Sequence, residues 1–288
     1  MQTIRKAVIP VAGFGTRFLP ATIAQPKEML PIVDQPIIQY IVEELVASGI
    51  TEIIFVTGRG KRAIEDHFDY SPELEELLIE RGKIAELKEV RRISNLARFV
   101  YVRQNKPLGN GHAILCAKEV VGDEPFVVAF GDDIIDAHVP AALQCMRVFE
   151  RYGDTVIGVT AVPKERVGGY GIVQPKERGA MGPAFEMKGI VEKPNVRTTP
   201  SFFGVRGRYV FTPAIFEALE KTKAGKGGEI WIADAVKKLL HKHPAYACVM
   251  EGDVYDCGNK LDYLKAQVAF ALRRPDLGKD FRKFLVSV

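Results

Sequence analysis

The residues best placed to do chemistry gather first between Ala12 and Pro31. The apolar run Ala7–Val11 leads into Ala12-Gly13-Phe14-Gly15-Thr16-Arg17, and Pro26-Lys27-Glu28-Met29-Leu30-Pro31 follows. Gly13 and Gly15 let the backbone turn sharply and approach a ligand closely. The N–H groups of such a turn form an anion cradle. Arg17 lies just beyond it and Lys27 ten residues later. Two cations aimed at one glycine turn point to a polyphosphate, and so to nucleotide chemistry.

Carboxylates form the second constellation. Gly131-Asp132-Asp133 directly follows the apolar run Phe126–Phe130, and Tyr255-Asp256-Cys257-Gly258-Asn259 puts another acid between a short strand and a helix. Mg²⁺ takes one or two carboxylates together with phosphate oxygens. Asp132 and Asp256 suit that role as a pair. Each acid also has a plainer reading: Asp133 could cap the helix expected over Val139–Tyr152, and Asp256 could belong to a turn. In Ile190-Val191-Glu192-Lys193-Pro194 an acid and a lysine end a strand. The carboxylate can accept from sugar hydroxyls and the lysine can neutralise a monophosphate.

Other chemistries fit poorly. Gly13-Phe14-Gly15-Thr16-Arg17-Phe18 has Phe18 where a dinucleotide fingerprint needs its third glycine. The next strand ends at Val56-Thr57-Gly58, with no acid for a ribose hydroxyl. There is no P-loop, and no Ser-His-Asp or Cys-His arrangement stands out. His112, in Gly109-Asn110-Gly111-His112-Ala113, reads as loop geometry near a base, and His241 and His243 share an exposed helix end. Cys116, Cys145, Cys248 and Cys257 form no C-x-x-C pair, which points to reduced thiols and a cytoplasmic setting.

The elements that must position these groups alternate through the first half. Ala7–Val11, Ile53–Val56, Phe99–Val102, Phe126–Phe130 and Val156–Val162 read as buried strands. Ile37, Tyr40, Ile41, Glu44 and Leu45 form a helical stripe between Pro36 and Gly49. Glu73–Arg81, Ile84–Arg92 and Val139–Tyr152 are further helices. This alternation predicts a mostly parallel sheet covered on both faces, with ligands outside the carboxyl ends of its strands. Beyond Pro163 the pattern becomes β-rich, with strands at Gly168–Val173, Ala184–Val191 and Phe202–Phe211. Helices follow at Pro213–Lys221, Ile230–His241 and Leu261–Arg273. The 288 residues are 47% hydrophobic and 26% charged, as in a soluble globular chain. A net charge of +4 is too small to argue for nucleic acid or a membrane surface. No apolar run approaches the roughly 20 residues that span a bilayer. The apolar stretch near the start, cut by Pro10 and Gly13, makes a poor signal peptide.

Taken in order, these motifs resemble the sugar-phosphate nucleotidyltransferases, and within them the bacterial UTP–glucose-1-phosphate uridylyltransferase family, across nearly the whole chain. Supporting stretches include Ile64-Glu65-Asp66-His67-Phe68-Asp69, Tyr170-Gly171-Ile172-Val173, Gly207-Arg208-Tyr209-Val210 and Asp256-Cys257-Gly258-Asn259-Lys260. The resemblance implies a single domain, 1–288, with a three-layer α/β/α Rossmann-like fold and a mostly parallel mixed sheet. Its parts are a nucleotide-binding half (1–162), a small β-rich sugar-binding lobe (163–260) and C-terminal helices (261–288). It implies transfer of the uridylyl group of UTP to glucose 1-phosphate, giving UDP-glucose and pyrophosphate, in a cytoplasmic homodimer or homotetramer.

By the same resemblance Ala12, Gly13, Glu28, Gln104 and the loop Gly109–Gly111 hold the uracil, and Gly15, Thr16 and Asp133 line the nucleotide site. Arg17 and Lys27 hold the triphosphate, and Asp132 and Asp256 bind Mg²⁺. Gly171, Glu192, Val205 and Tyr209 surround the sugar, and Lys193 holds its phosphate.

The chain departs from the family pattern in Thr22-Ile23-Ala24, at Gln35 and at Asn110, and again nearer the expected sugar lobe. Phe202, Phe203 and Arg206 fall in Ser201-Phe202-Phe203-Gly204-Val205-Arg206, which the family usually fills with Ser-Asn-Leu-Ala-Ile-Leu/Val. Trp231 and Ala233 replace an amide and a hydroxyl. Losing polar groups changes which sugar hydroxyls can be paired. Galactose or N-acetylglucosamine 1-phosphate as acceptor, or dTTP as donor, therefore stand beside the glucose reading. A non-catalytic regulatory paralogue is the alternative of another class.

Overall fold

The alternation of apolar runs and amphipathic stripes becomes one large sheet. The computed structural model describes residues 3–177, 179 and 182–288. The described residues form thirteen strands: β1 (Lys6–Pro10), β2 (Pro31–Ile32), β3 (Gln35–Pro36), β4 (Glu52–Thr57), β5 (Arg98–Arg103), β6 (Phe126–Ala129), β7 (Asp133–Asp136), β8 (Thr155–Ala161), β9 (Gly171–Pro175), β10 (Ala184–Glu192), β11 (Phe203–Phe211), β12 (Ala245–Val249) and β13 (Asp253–Asp256). Nine of them share a sheet in the order β5-β4-β1-β6-β11-β8-β12-β10-β9. Only β10 and β11 run against the other seven, so the sheet is mixed but mostly parallel.

The central strands are buried on both faces, as a parallel sheet requires. Ala7 and Ile9 of β1 point into one core and Val8 into the other. Helices Ile37–Ala47, Ala141–Tyr152 and Lys260–Arg273 contribute to the first core. Asn110–Cys116, Ala214–Glu220 and Ile232–Leu239 contribute to the second. Helix Ile37–Ala47 forms because Ile37, Ile38, Ile41, Val42 and Leu45 make one apolar stripe, all buried. Each such side chain stabilises the fold by about 1.5–3 kcal/mol when fully buried.

Three expectations change. Asp133 does not cap the helix after it. It opens β7, and the helix begins at Ala141 with Pro140 in the capping position. The first part of Gly168–Val173 is a 3-10 turn, Lys164–Gly169, and the strand starts at Gly171. The helix expected from Ile230 starts at Ile232, because the Ile230 N–H donates to the Leu108 carbonyl at 2.7 Å.

Two features bear on the site. β7 and β13 form a separate antiparallel ladder with Asp133 opposite Asp256. Arg208 on β11 is fully buried. Its Nε and Nη2 donate to the two Glu44 carboxylate oxygens at 2.9 and 2.5 Å, and Nη2 also donates to the Asp133 carbonyl at 2.9 Å. Glu44 also accepts from the Ala142 N–H at 2.9 Å. One ion pair thus ties two helices to β7 and β11.

Candidate active site

The glycine turn leaves β1 at its carboxyl end, where the Val11 N–H donates to Val56 at 3.0 Å. Gly15 takes φ +66°, and a β-carbon there would stand 3.2 Å from Lys27 Cβ. Glycine therefore lets the turn lie close against the lysine segment. Thr22 Oγ1 donates to the Gly15 carbonyl at 2.8 Å and closes the loop.

Four charged groups meet beyond it. Lys27 Nζ bonds Asp132 Oδ2, and Arg17 Nη1 donates to the Gly258 carbonyl at 3.1 Å. The Cys257 N–H donates to the Asp132 carbonyl at 2.8 Å, joining the residue after β13 to the turn between β6 and β7. A β-carbon on Gly258 would lie 2.8 Å from Asp132 Oδ2, 2.9 Å from Asp256 Oδ1 and 3.1 Å from Arg17 Nη1. Both carboxylates and the guanidinium therefore converge on one point, and only glycine leaves it open.

The acids are not electrostatically equal. Burial works to raise Asp132, but Lys27 and Arg17 outweigh it and hold this carboxyl below the usual range. Burial and the neighbouring Asp132 push Asp256 up. Burial, Asp132 and Asp256 together push Asp133 up to about 7. Burial works to lower Lys27, and its acid neighbours raise it above the ordinary lysine value. Crowded carboxylates that repel one another fit a hard dication bound by Asp132 and Asp256. Among the described residues no group of three or more His, Cys, Asp or Glu forms a full cage. The pair therefore suits an ion that keeps phosphate oxygens or water as its remaining ligands.

Two cavities meet here. The first, of about 460 Å³, is lined by Ala12, Gly13, Gly15, Thr16, Arg17, Lys27, Glu28, Gln104 and Gly109. Gly111 stands behind that wall, its N–H donating to the Ile230 carbonyl at 2.9 Å. The second, of about 240 Å³, is lined by Gly171, Glu192, Lys193, Val205 and Tyr209, with Asp133 and Asp256. Arg17, Asn110, Phe130, Asp132 and Trp231 line both. Burial raises the Glu192 carboxyl against the opposing pull of Lys193, and burial raises the Tyr209 hydroxyl as well. A cavity of about 690 Å³ against the C-terminal helix, lined by Leu272, Arg274, Arg282 and their neighbours, has no carboxylate in its lining.

Two further residues support the site: His112, read in the sequence only as loop geometry near a base, and Lys61, which sequence reasoning missed. His112 lies on the helix Asn110–Cys116 rather than in a loop. The buried Gln104 amide donates from Nε2 to the Gly109 carbonyl at 3.1 Å and sits 2.9 Å from His112 Nδ1. Burial lowers His112, favouring the neutral ring that accepts this contact. With its N–H₂ so engaged, Gln104 keeps its carbonyl oxygen for another partner. Lys61 is the second residue. Its Nζ lies 2.8 Å from Glu28 Oε2 in a pair whose side chains are only 5% and 2% exposed. A lysine just past the carboxyl end of β4, in Gly58-Arg59-Gly60-Lys61, was the available signal.

The departures from the family pattern separate in space. Trp231 and Ala233 line the second cavity. Phe202, expected near the sugar, stands 46% exposed and outside that lining. Phe203 packs on Phe185 with ring centroids 4.9 Å apart, and Arg206 Nε donates to Thr160 Oγ1 at 2.7 Å.

A nucleotidyl transferase family model matches residues 6–272. The chain is 50% identical, over 285 residues, to a UTP–glucose-1-phosphate uridylyltransferase of Bacillus subtilis, covering 99% of this chain and 97% of that one. A solved UTP-bound UGPase from Acinetobacter baumannii superposes with a TM-score of 0.92 at 41% identity, covering 99% of this chain and all of that one. A UDP-glucose pyrophosphorylase complexed with UDP-glucose gives 0.86 at 40% identity, covering 94% of this chain and all of that one.

Proposed function

We propose that this chain, which belongs to the nucleotidyl transferase family, transfers the uridylyl group of UTP to glucose 1-phosphate, giving UDP-glucose and pyrophosphate. The observation that carries this reading is the meeting of two cavities at Asp132 and Arg17. A triphosphate seated in one and a sugar phosphate seated in the other bring their reacting atoms to the charged group between them.

The chemistry follows from charge. A phosphate oxygen of glucose 1-phosphate is already an anion, so no general base is required. It forms a bond to the α-phosphorus of UTP in line, the bond from that phosphorus to the bridging oxygen breaks, and pyrophosphate leaves with the electron pair. The barrier lies in bringing anions together and in stabilising charge at the transition state. The glycine turn, Arg17 and Lys27 hold the triphosphate, and Lys193 holds the sugar phosphate. Ala12, Gly13 and Gln104 flank the base, with Glu28 fixed beside them by Lys61. Glu192 and the Gly171 and Tyr209 walls orient the sugar.

Members of the family generally use a divalent metal, and we assign Mg²⁺ to Asp132 and Asp256. Held there, Mg²⁺ would supply positive charge against the phosphate oxygens. The same reading has the enzyme act in the cytoplasm as a homodimer or homotetramer. No helix among the described residues is long and apolar enough to cross a membrane.

Pyrophosphate release from UTP or dTTP, with glucose, galactose and N-acetylglucosamine 1-phosphates in turn, tests the reading. Glucose 1-phosphate with UTP is expected to turn over fastest. Equal rates on several sugars defeat the glucose assignment, and the Trp231 and Ala233 walls of the second cavity are where such breadth would originate. No release from any pair overturns transfer itself and favours a regulatory paralogue.

A further inference from the structure

Trp231 is the only tryptophan in the chain, and it lines both cavities. Its segment is clamped to the loop beneath the first cavity. The Ile230 N–H donates to Leu108 at 2.7 Å, the Gly111 N–H donates to Ile230 at 2.9 Å, and the Ile232 N–H donates to Asn110 Oδ1 at 3.0 Å. The backbone that carries the indole is thus held on both sides of Trp231.

Lys193 approaches the indole from the end of β10. Its ammonium lies 5.0 Å from the indole centroid. The nearest carboxylate, Glu192 Oε1, is 3.7 Å away, beyond hydrogen-bond distance. The Lys193 backbone takes φ +46°, in the left-handed region that a side chain rarely adopts, and its N–H donates to Tyr170 at 3.0 Å. The backbone is therefore held, while the ammonium, loosely ion-paired with Glu192, makes no hydrogen bond and rests over an aromatic face. A flexible lysine otherwise loses considerable rotamer freedom on binding an anion.

We propose that Trp231 is a positioning residue for the acceptor phosphate: its indole face holds the Lys193 ammonium in the second cavity before the sugar phosphate arrives. This rests on the transfer reading above, in which Lys193 meets that phosphate. The ring quadrupole attracts the cation, and the fixed segment sets where the cation waits. The contact is predicted to favour acceptor binding and to leave chemistry and nucleotide binding nearly unchanged.

The test compares Trp231→Phe, which keeps an aromatic face, with Trp231→Leu, which keeps apolar bulk alone. Trp231→Leu is expected to raise the KM for glucose 1-phosphate about two- to five-fold, the scale of a partly exposed cation–π contact, with kcat and the KM for UTP within two-fold of wild type. Trp231→Phe is expected to stay near wild type in all three. If the two variants behave alike, or if both KM values rise together, the proposal is overturned. A second measurement leaves the indole intact: Lys193→Met should change the tryptophan emission of the ligand-free protein, because a charge beside the ring is removed. An emission spectrum identical to wild type also overturns it. A wild-type protein that releases no pyrophosphate fails the transfer reading instead, and the emission comparison still decides whether the cation rests on the ring.

Discussion

At the residue scale, the site works by unequal treatment of similar groups. Asp132 is held low by Lys27 and Arg17 in spite of burial, while Asp133 and Asp256 are raised by burial and by Asp132, with Asp256 adding to the rise at Asp133. Asp132→Asn keeps shape and removes charge, and it is expected to lower kcat at least about 10²-fold in saturating Mg²⁺, the scale of a main electrostatic contact. Steady-state pyrophosphate release checks this, and near wild-type turnover would sink the assignment. Asp133 also predicts a pH dependence in metal-free protein. Its carboxyl titrates at about 7 folded against an ordinary 3.8. Between those values the folded chain keeps a proton that the unfolded chain releases, so this group's contribution is intact below 3.8 and declines as pH rises through about 7. In chelator, the Tm advantage of Asp133→Asn over wild type should therefore grow from pH 4 to pH 7. A constant difference across that range contradicts it.

At the scale of elements, the acids are brought together by strands of different origin. The turn between β6 and β7 delivers Asp132, and the β7–β13 ladder sets Asp256 across from Asp133. The Arg208–Glu44 pair holds this assembly from beneath through the Asp133 carbonyl. Removing one partner leaves the other charge buried and unpaired, at a cost of about 3–5 kcal/mol. Glu44→Ala should lose stability on that scale in urea unfolding. A Glu44→Leu, Arg208→Met double variant should recover part of the loss, since apolar groups of similar bulk avoid an uncompensated charge. Equal losses in the single and double variants would show that the pair's charge is not what matters.

At the scale of the molecule, one sheet carries both cavities, and β9 and β10 extend it to the acceptor side. A ligand that bridges both cavities therefore links the two halves of the sheet. UDP-glucose at about 100 times its Kd should stabilise the folded chain by about 2.7 kcal/mol through binding linkage, seen as a rise in Tm. With UTP, chelation of the metal should remove part of the corresponding rise. A Tm for the UTP-bound protein indifferent to chelator would contradict a metal shared by the protein and the phosphates.

Local chemistry was legible in the residues themselves. The glycine turn, the cations Arg17 and Lys27 and the strand-end acids could be read directly, because turn geometry and charge depend on residue type and short spacing. So could the α/β alternation, which follows from hydrophobic period. Other features depend on contacts between distant segments. Arg208 reads as an ordinary strand residue until Glu44, 164 positions away, is seen against it. Likewise, Lys61 reads as a surface cation until Glu28 is buried on it, and His112 as a loop residue until Gln104 meets it. Phe202 and Trp231 look alike as departures in the sequence, yet only Trp231 faces the ligand space, because its segment is hydrogen-bonded to the Leu108–Gly111 loop. Composition and period determine which elements form. Which side chains share a cavity is decided by the order and register of strands, which bring together groups that lie far apart along the chain.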